Sequence, residues 1–314
     1  MKCLKCKGSA VLQIKRHKAA FCSEHLIEHL QNQMMKAIRK FKMLPPSKNV
    51  LVAVSGGKDS LALWDMLLEK GYKADAFYID LGIHNYSNES LEMIEKFSKD
   101  RPHGHYYIIS LPDIYQTDIK EISKNNPRSA CSACGLIKRY IMNIMAREGG
   151  YHAVATGHNL DDESATLLGN TLYWQTGYLG RQSPNMPPRH GLARKIKPLC
   201  RLTEKETAAY CLVKSIDYIL EDCPLAQGAS TFKYKEIINR LETQSPGTKD
   251  QFYLGFLRKG KYYFEKEHEE IELVGCPTCG EPTVNQDKDC SFCRQMKMNA
   301  LDPILLKMKI AQLI

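Results

Sequence analysis

Long apolar runs are missing from this 314-residue chain. No stretch reaches the roughly 18 uninterrupted apolar residues that a spanning helix needs, so no membrane segment is expected. The opening Met1-Lys2-Cys3-Leu4-Lys5-Cys6 has no apolar core of the kind an export signal carries, so a cytoplasmic protein is expected. Internal repeats are absent too. Acid is in short supply: 35 Asp and Glu stand against 44 Lys and Arg, a net charge of +9. That excess favours a polyanionic partner, although plain surface solvation accounts for it equally well. Apolar residues at 43% and charged residues at 25% are ordinary for a globular protein and exclude extensive disorder. The length suits one large domain with smaller appendages.

Cysteine, by contrast, is plentiful at twelve. Ten of the twelve sit in clustered or motif-linked positions. With no export signal, metal sites in a reducing compartment fit better than a disulfide framework. Cys276-Pro277-Thr278-Cys279 and Cys290-Ser291-Phe292-Cys293 are two CxxC knuckles ten residues apart. Four such thiolates close a tetrahedral structural zinc site with no open position. Cys3, Cys6, Cys22 and His25 form a similar set with one imidazole, and His25 is its weakest member, because histidine is common on helix surfaces. Zinc at these two sites would supply folding free energy that segments of this size cannot gain from a core. Cys200 and Cys211 read as lone buried thiols.

Apolar periodicity outlines the body. Leu26, Leu30, Met34, Ile38 and Phe41 recur at helical spacing over 24–41, and Pro45-Pro46 ends that helix. Asn49–Val54, Ala74–Asp80, Tyr106–Ser110 and His152–Gly157 read as buried strands. Helices over 61–70, about 88–99 and 135–148 lie between them. Alternation of this kind predicts an α/β fold, a doubly wound and mostly parallel sheet covered on both faces. From about Cys223 to 267 the chain reads as helical and basic, and Pro303–Ile310 as a short amphipathic tail helix. Lys233, Lys235, Arg240, Lys249, Arg258, Lys259 and Lys261 offer cationic surface there. Tyr234, Phe252, Tyr253, Tyr262 and Tyr263 interleave with them, as base-stacking groups or as ordinary core aromatics. Arg189–Lys197, after Pro184–Pro188, reads as a flexible basic loop suited to phosphate contact.

Ser55-Gly56-Gly57-Lys58-Asp59-Ser60 joins the first buried strand to a helix. Two glycines permit a tight turn, and free N–H groups at the helix start face an anion. A Walker A loop would need Gly at Val52 and Ser or Thr at Asp59, and neither is present. The string instead resembles the PP-loop of the N-type ATP pyrophosphatases. That resemblance implies cleavage of ATP between its α- and β-phosphates and adenylation of a carbonyl oxygen. It further implies nucleotide contacts from Ala53, Val54, Ser55, Gly56, Gly57, Lys58, Asp59, Ser60, Ile79, Lys138, Gly157 and Asp162, with Asp59 on the Mg²⁺ side. In Gly157-His158-Asn159-Leu160-Asp161-Asp162-Glu163, either Asp161 or Asp162 would hold Mg²⁺ or orient the base, with helix capping as the simpler role for each.

Cys131-Ser132-Ala133-Cys134 opens a helix, and a lone CxxC is ambiguous between redox, half a metal site and coincidence. Cys223 adds a third thiol, and three thiolates would leave a cubane with one open iron. Several further strings extend the likeness. They are Lys138-Arg139-Tyr140 with Asn143, Arg181-Gln182, Lys197-Pro198-Leu199, and Cys223-Pro224 with Gly228-Ala229. Together they resemble the tRNA 2-thiouridine synthetases, most of all the TtuA branch that thiolates the T-loop ribothymidine, with the wobble-uridine enzymes as near relatives. The resemblance implies catalytic roles for Asp59, Lys138, Asp162, Cys131, Cys134 and Cys223. It also implies a 4Fe-4S cluster on the three cysteines, two structural zinc ions, a tRNA substrate, a thiocarboxylated ubiquitin-like sulfur carrier and a homodimer. A persulfide relay on the same thiols needs no iron and remains the alternative. An adenylating enzyme with a nitrogen nucleophile would leave the three cysteines idle. A zinc-ribbon RNA binder that only senses nucleotide would leave Asp59 idle as well. The segments implied are a zinc finger over 1–27, the PP-loop catalytic domain with its linking helix over 28–225, a helical basic region over 226–270, and a zinc ribbon with tail helix over 271–314.

Overall fold

The computed structural model describes residues 1–101, 103–125, 129–226, 230–265 and 272–314. Gly228-Ala229, part of the motif after Cys223, and the last residues of the basic helical stretch lie outside these. Strands are numbered in chain order: β1 Leu12–Ile14, β2 Ala19–Phe21, β3 Val50–Val54, β4 Ala74–Asp80, β5 Tyr106–Ser110, β6 Ala153–Thr156, β7 Asn185–Met186, β8 Lys195–Ile196, β9 Val274–Gly275 and β10 Pro282–Thr283.

The main sheet has the order β5-β4-β3-β6-β8-β7. Every neighbouring pair in it is parallel except β7 and β8. Alternation along β3 explains its central place. Val50, Val52 and Val54 enter one apolar core with Trp64 and Leu67, while Leu51 enters the other with Phe77 and Val154. A strand buried on both faces reads as a continuous apolar run, which is why it was legible. The chain runs outward from β3 to β4 and β5, then returns to β6 on the other side of β3. A crevice therefore opens at the carboxyl ends of β3 and β6, where such sheets bind ligands.

The four long strands and the helices between them match the sequence reading within a few residues. The helices are Lys58–Glu69, His84–Lys99 and Ala130–Glu148, preceded by the first helix, Ser23–Lys40. The basic stretch Arg189–Lys197 is a correction. Part of it is strand: Lys195–Ile196 adds to β6 in parallel, Asn185–Met186 pairs antiparallel with it, and Arg189 and Leu192 form an isolated bridge in the connection. Two-residue strands carry too little periodicity to be seen in sequence.

Both ends fold back on this body. The β1–β2 hairpin and the helix Ser23–Lys40 share the core that holds Val52 and Trp64. The C-terminal Cys-rich segment shares the core on the opposite face with Ile137, Tyr140 and Ile141. The helices Ser230–Gln244 and Thr248–Gly255 lie against the helix Leu160–Leu172. No helix among the described residues is long and apolar enough to cross a membrane.

Candidate active site

The Ser55–Ser60 turn is built for close approach. Gly56 has φ +73°, and a Cβ there would stand 2.7 Å from the backbone of Ser90. Gly157, after β6, packs against the same turn from the other side, where a Cβ would lie 2.9 Å from the Asp59 and Ser60 backbone. Inside the turn the Ser60 hydroxyl donates to the Gly57 carbonyl (2.9 Å) and accepts the Ser55 N–H (3.1 Å). The loop is thus preset, with its helix N-terminus aimed at the crevice.

A cavity of about 440 Å³ occupies that crevice. Ala53, Val54, Ser55, Asp59, Ser60, Ile79, Lys138, Gly157, Asp162 and Cys223 all line it. The other candidate residues stand around its edge. Gly56 and Gly57 shape the turn, and Lys58 faces an adjoining cavity of about 640 Å³ with Glu204, Lys235, Asn239 and Arg240. Tyr78 and His158, which flank Ile79 and Gly157 in the strings read as nucleotide-binding, line it too, whereas sequence reasoning missed Tyr86, Ser87 and Ser90. Tyr86 and the two serines belong to the helix His84–Lys99, which carries no glycine or cysteine signature to mark it.

Each carboxylate near the cavity has its own partner. Asp59 accepts a short hydrogen bond from the Thr207 hydroxyl, and Lys58 Nζ lies 3.3 Å from its other oxygen. Burial pushes the Asp59 carboxyl up despite Lys58. Asn159 caps the helix Leu160–Leu172, and Asp162 closes the capping box by accepting the Asn159 N–H at 3.0 Å. Its other oxygen meets Lys235 Nζ at 2.6 Å. Burial works against the Asp162 carboxylate, but Lys235 and His158 outweigh it and hold its pKa below the usual range. Asp161 points elsewhere: it is buried, pairs with Lys249 at 2.6 Å and accepts the Glu204 N–H. Of the two acids, only Asp162 faces the cavity. Glu163 is held by Lys197 (2.5 Å) and by the Tyr253 hydroxyl (2.8 Å).

These pairs correct the reading of the basic helical stretch. Lys249 is buried and Lys235 is turned inward, so neither presents charge to solvent as a surface lysine would. Tyr253 is fully buried, whereas Tyr262 and Tyr263 are exposed. Local sequence cannot separate these fates, because Lys249 is neutralised by Asp161, 88 positions away, and Lys235 by Asp162 and Glu204, 73 and 31 positions away.

Cys131 and Cys134 occupy the first turn of the helix Ala130–Glu148, and Lys138 follows one turn later. Cys131 Sγ donates to the Leu225 carbonyl (2.7 Å), which ties the Pro224–Ala226 turn, and so Cys223, to that helix. Burial raises the Cys134 thiol, Lys138 lowers it, and Cys223 and Cys131 raise it further. The three thiols thus share one electrostatic neighbourhood. Among the described residues, only the two terminal sets bring three or more ligand atoms within 4.8 Å of one another. The wider-set trio suits a cubane, whose irons take thiolates at separate corners, better than a single ion.

The terminal sets have the spacing of a single ion. A tetrahedral zinc with Zn–S bonds of about 2.3 Å separates its sulfurs by about 3.8 Å. Cys276 and Cys293 stand 3.8 Å apart, as do Cys279 and Cys290. Cys6 and Cys22 are at 3.7 Å, and His25 Nδ1 lies 3.2 Å from Cys22 and 3.6 Å from Cys3. Both modules are clamped to the site's framework. Arg16 joins the first to Glu206 and Asp250. Glu281 joins the second to the helix that bears Cys131: Arg147 donates to it at 2.6 Å and Asn143 at 2.9 Å, and Tyr140 stacks on Phe292. Cys200 and Cys211 are buried, and burial pushes both thiols up.

A family model described as a PP-loop domain matches residues 26–224. The tRNA-5-methyluridine(54) 2-sulfurtransferase of Thermus thermophilus is 44% identical, over 94% of this chain and 90% of its own length. The protein of the same name from Thermotoga maritima is 40% identical, over 95% of this chain and 96% of its own. Among solved structures, the U34-tRNA thiolase NcsA from Methanococcus maripaludis, determined with its [4Fe-4S] cluster, superposes with a TM-score of 0.76. It is 26% identical, and the match covers 96% of each chain. Two glycines that let backbones touch around a nucleotide-sized cavity, with Cys223 in its wall, are accounted for together: this chain belongs to the PP-loop domain family, in the branch of the tRNA 2-sulfurtransferases.

Proposed function

We propose that this protein is a tRNA-5-methyluridine(54) 2-sulfurtransferase, exchanging the uracil 2-oxygen for sulfur at the cost of ATP. The carrying observation is that Asp59, Lys138, Asp162 and Cys223 line one cavity beside the Ser55–Ser60 turn. ATP binds with its phosphates on the N–H groups of that turn and its adenosine against Ile79 and Gly157. The uracil 2-oxygen attacks the α-phosphorus, pyrophosphate leaves, and the base becomes an adenylate. A sulfur nucleophile then adds at C2 and AMP departs with the former oxygen. Lys138 supplies fixed positive charge to the α-phosphate and to the oxygen as it gains charge. Asp59 and Asp162 are the oxygen donors for Mg²⁺, a hard cation that takes carboxylates.

A 4Fe-4S cluster on Cys131, Cys134 and Cys223 supplies a site for soft sulfide, and the terminal sets hold zinc. The chain's own part is to keep the three thiols at the cavity rim through the helix Ala130–Glu148 and the Leu225 carbonyl. We assign sulfur delivery to a thiocarboxylated ubiquitin-like carrier, the oligomer to a homodimer and the setting to the cytoplasm.

The test is anaerobic reconstitution with iron, sulfide, ATP and tRNA, followed by mass spectrometry of the nucleosides. The expected result is 5-methyl-2-thiouridine with one AMP and one pyrophosphate per sulfur, lost in C223S and in K138A. Thiolation of wobble uridine alone would reassign the substrate. Adenylation without any thiolated product would overturn the reading.

A further inference from the structure

Residues 164–203 contain no aspartate or glutamate but six arginines and lysines. Within that span the helix Leu160–Leu172, whose capped end touches the cavity, finishes in Tyr173 and Trp174. Trp174 has φ +48°, at the position where glycine commonly ends a helix. Its backbone is nevertheless fixed: Trp174 N–H donates to Thr171 and Gln175 N–H to Asn170 (2.8 Å). The indole is 70% exposed, and Tyr178 in the next helical turn is 59% exposed. An aromatic ring held in strained backbone, facing solvent, does nothing for the core; such strain marks sites of function.

The surroundings complete a platform. Arg181 lies over the Tyr178 ring, 5.2 Å from its centroid. The Tyr234 ring rests on Gly169, where a Cβ would come within 2.9 Å. The helix Lys261–Glu265 packs beside Thr176–Arg181. Flat rings, a stacked guanidinium and no carboxylate in the segment match a single-stranded polyanion with π-faces.

We propose that the surface centred on Trp174 and Tyr178 is a stacking platform for unpaired bases of the tRNA. At 1.5 Å per residue along Leu160–Leu172 it stands about 20 Å from the catalytic cavity. It holds the folded RNA while the target uridine is in the cavity, and it rests on the sulfurtransferase reading above.

Trp64 is fully buried, so tRNA-dependent change in tryptophan emission reports Trp174. Titrating unmodified tRNA transcript into the full chain should quench that emission. W174A should weaken tRNA binding, and raise KM for tRNA, about 10-fold with kcat little changed, whereas W174F should bind nearly as wild type. W174G keeps the experiment decisive, because glycine relaxes the backbone there: it should fold at least as well and bind as poorly as W174A. Unaltered emission at saturating tRNA, together with wild-type affinity in W174G, would overturn the platform alone, provided the wild type still thiolates. Conversion of a wild-type dimer to monomer by W174G, with tRNA affinity per chain unchanged, would assign the surface to a second copy and overturn it equally. Should the wild type neither bind nor thiolate tRNA, the sulfurtransferase reading falls as well.

Discussion

Arg16 Nη2 donates to both carboxylate oxygens of Glu206, at 2.6 and 2.8 Å, and joins the N-terminal metal module to a helix 190 positions further on. Its Nη1 reaches Asp250 at 2.5 Å, and both Arg16 and Glu206 side chains are only 4% exposed. Thr207, the next residue, donates to Asp59. Between the metal module and the phosphate-loop acid there are thus two side-chain links and one peptide bond.

Removing one partner of a buried pair leaves the other charge uncompensated, which costs about 3–5 kcal/mol. Arg16→Ala should therefore destabilise the protein by that order in chemical denaturation, while Arg16→Lys, which keeps charge but not the fork, should lose less. Equal loss in both would show that side-chain packing, not the ion pair, carries the contact.

Asp59 gives a pH prediction. Burial already raises its carboxyl, and the Thr207 hydroxyl opposes that rise. Thr207→Val removes the opposing hydrogen bond, so the carboxyl should titrate at still higher pH. The Mg²⁺ role proposed for Asp59 needs the ionised form, so on that proposal the acid limb of kcat/KM should move to higher pH in the variant. An acid limb that stays put would remove Asp59 from the ionisations that matter.

His17 and His29 share a 3.1 Å contact, and His29 stacks on Phe21. Burial, then Arg16 for His17 and the His17 ring for His29, lower both to about 4 from 6.5. With folded pKa values below unfolded ones, stability is complete above pH 6.5 and declines as pH falls towards 4. The rings are partly exposed, so the discounted loss is about 1 kcal/mol in all. Metal-loaded H17Q compared with wild type by thermal unfolding between pH 7 and 4.5 should show a shallower decline.

Glu281 is buried against Arg147, Asn143 and Lys307. Glu281→Ala should cost about 3 kcal/mol by removing the buried acceptor that those three donors share. Hydrogen exchange should quicken across residues 272–314 and along Ala130–Glu148, with zinc content unchanged. Chelator treatment of the wild type, which would remove the zinc proposed for the C-terminal set, should loosen the same two segments. Exchange confined to the terminal module would show that the helix bearing Cys131 does not depend on it.

How much of this was legible depended on range. β3 and the Ser55–Ser60 turn announce themselves locally, through an all-apolar run and two glycines. The terminal sets do so through CxxC and CxxH spacing. Asp162 was visible as a candidate but indistinguishable from Asp161, since adjacent acids differ only in which way a helix turns them. Thr207 and Glu281 gave no signal, and Lys235 read only as surface charge: their partners are Asp59, Arg147 and Asp162, and only the folded chain brings them together. Lys249 reads as a surface cation in any window of sequence, and it is Asp161, 88 positions earlier, that draws it inside.

The clasp on Arg16 also has a consequence in time. A ribosome adding roughly 5–20 residues per second delivers Asp250 about 12–47 s after Arg16. Glu206 follows about 10–38 s after Arg16, so until then the guanidinium has no carboxylate waiting, and Asp250 comes later still. The clasp is complete only when Asp250, in the last quarter of the polypeptide, has been added.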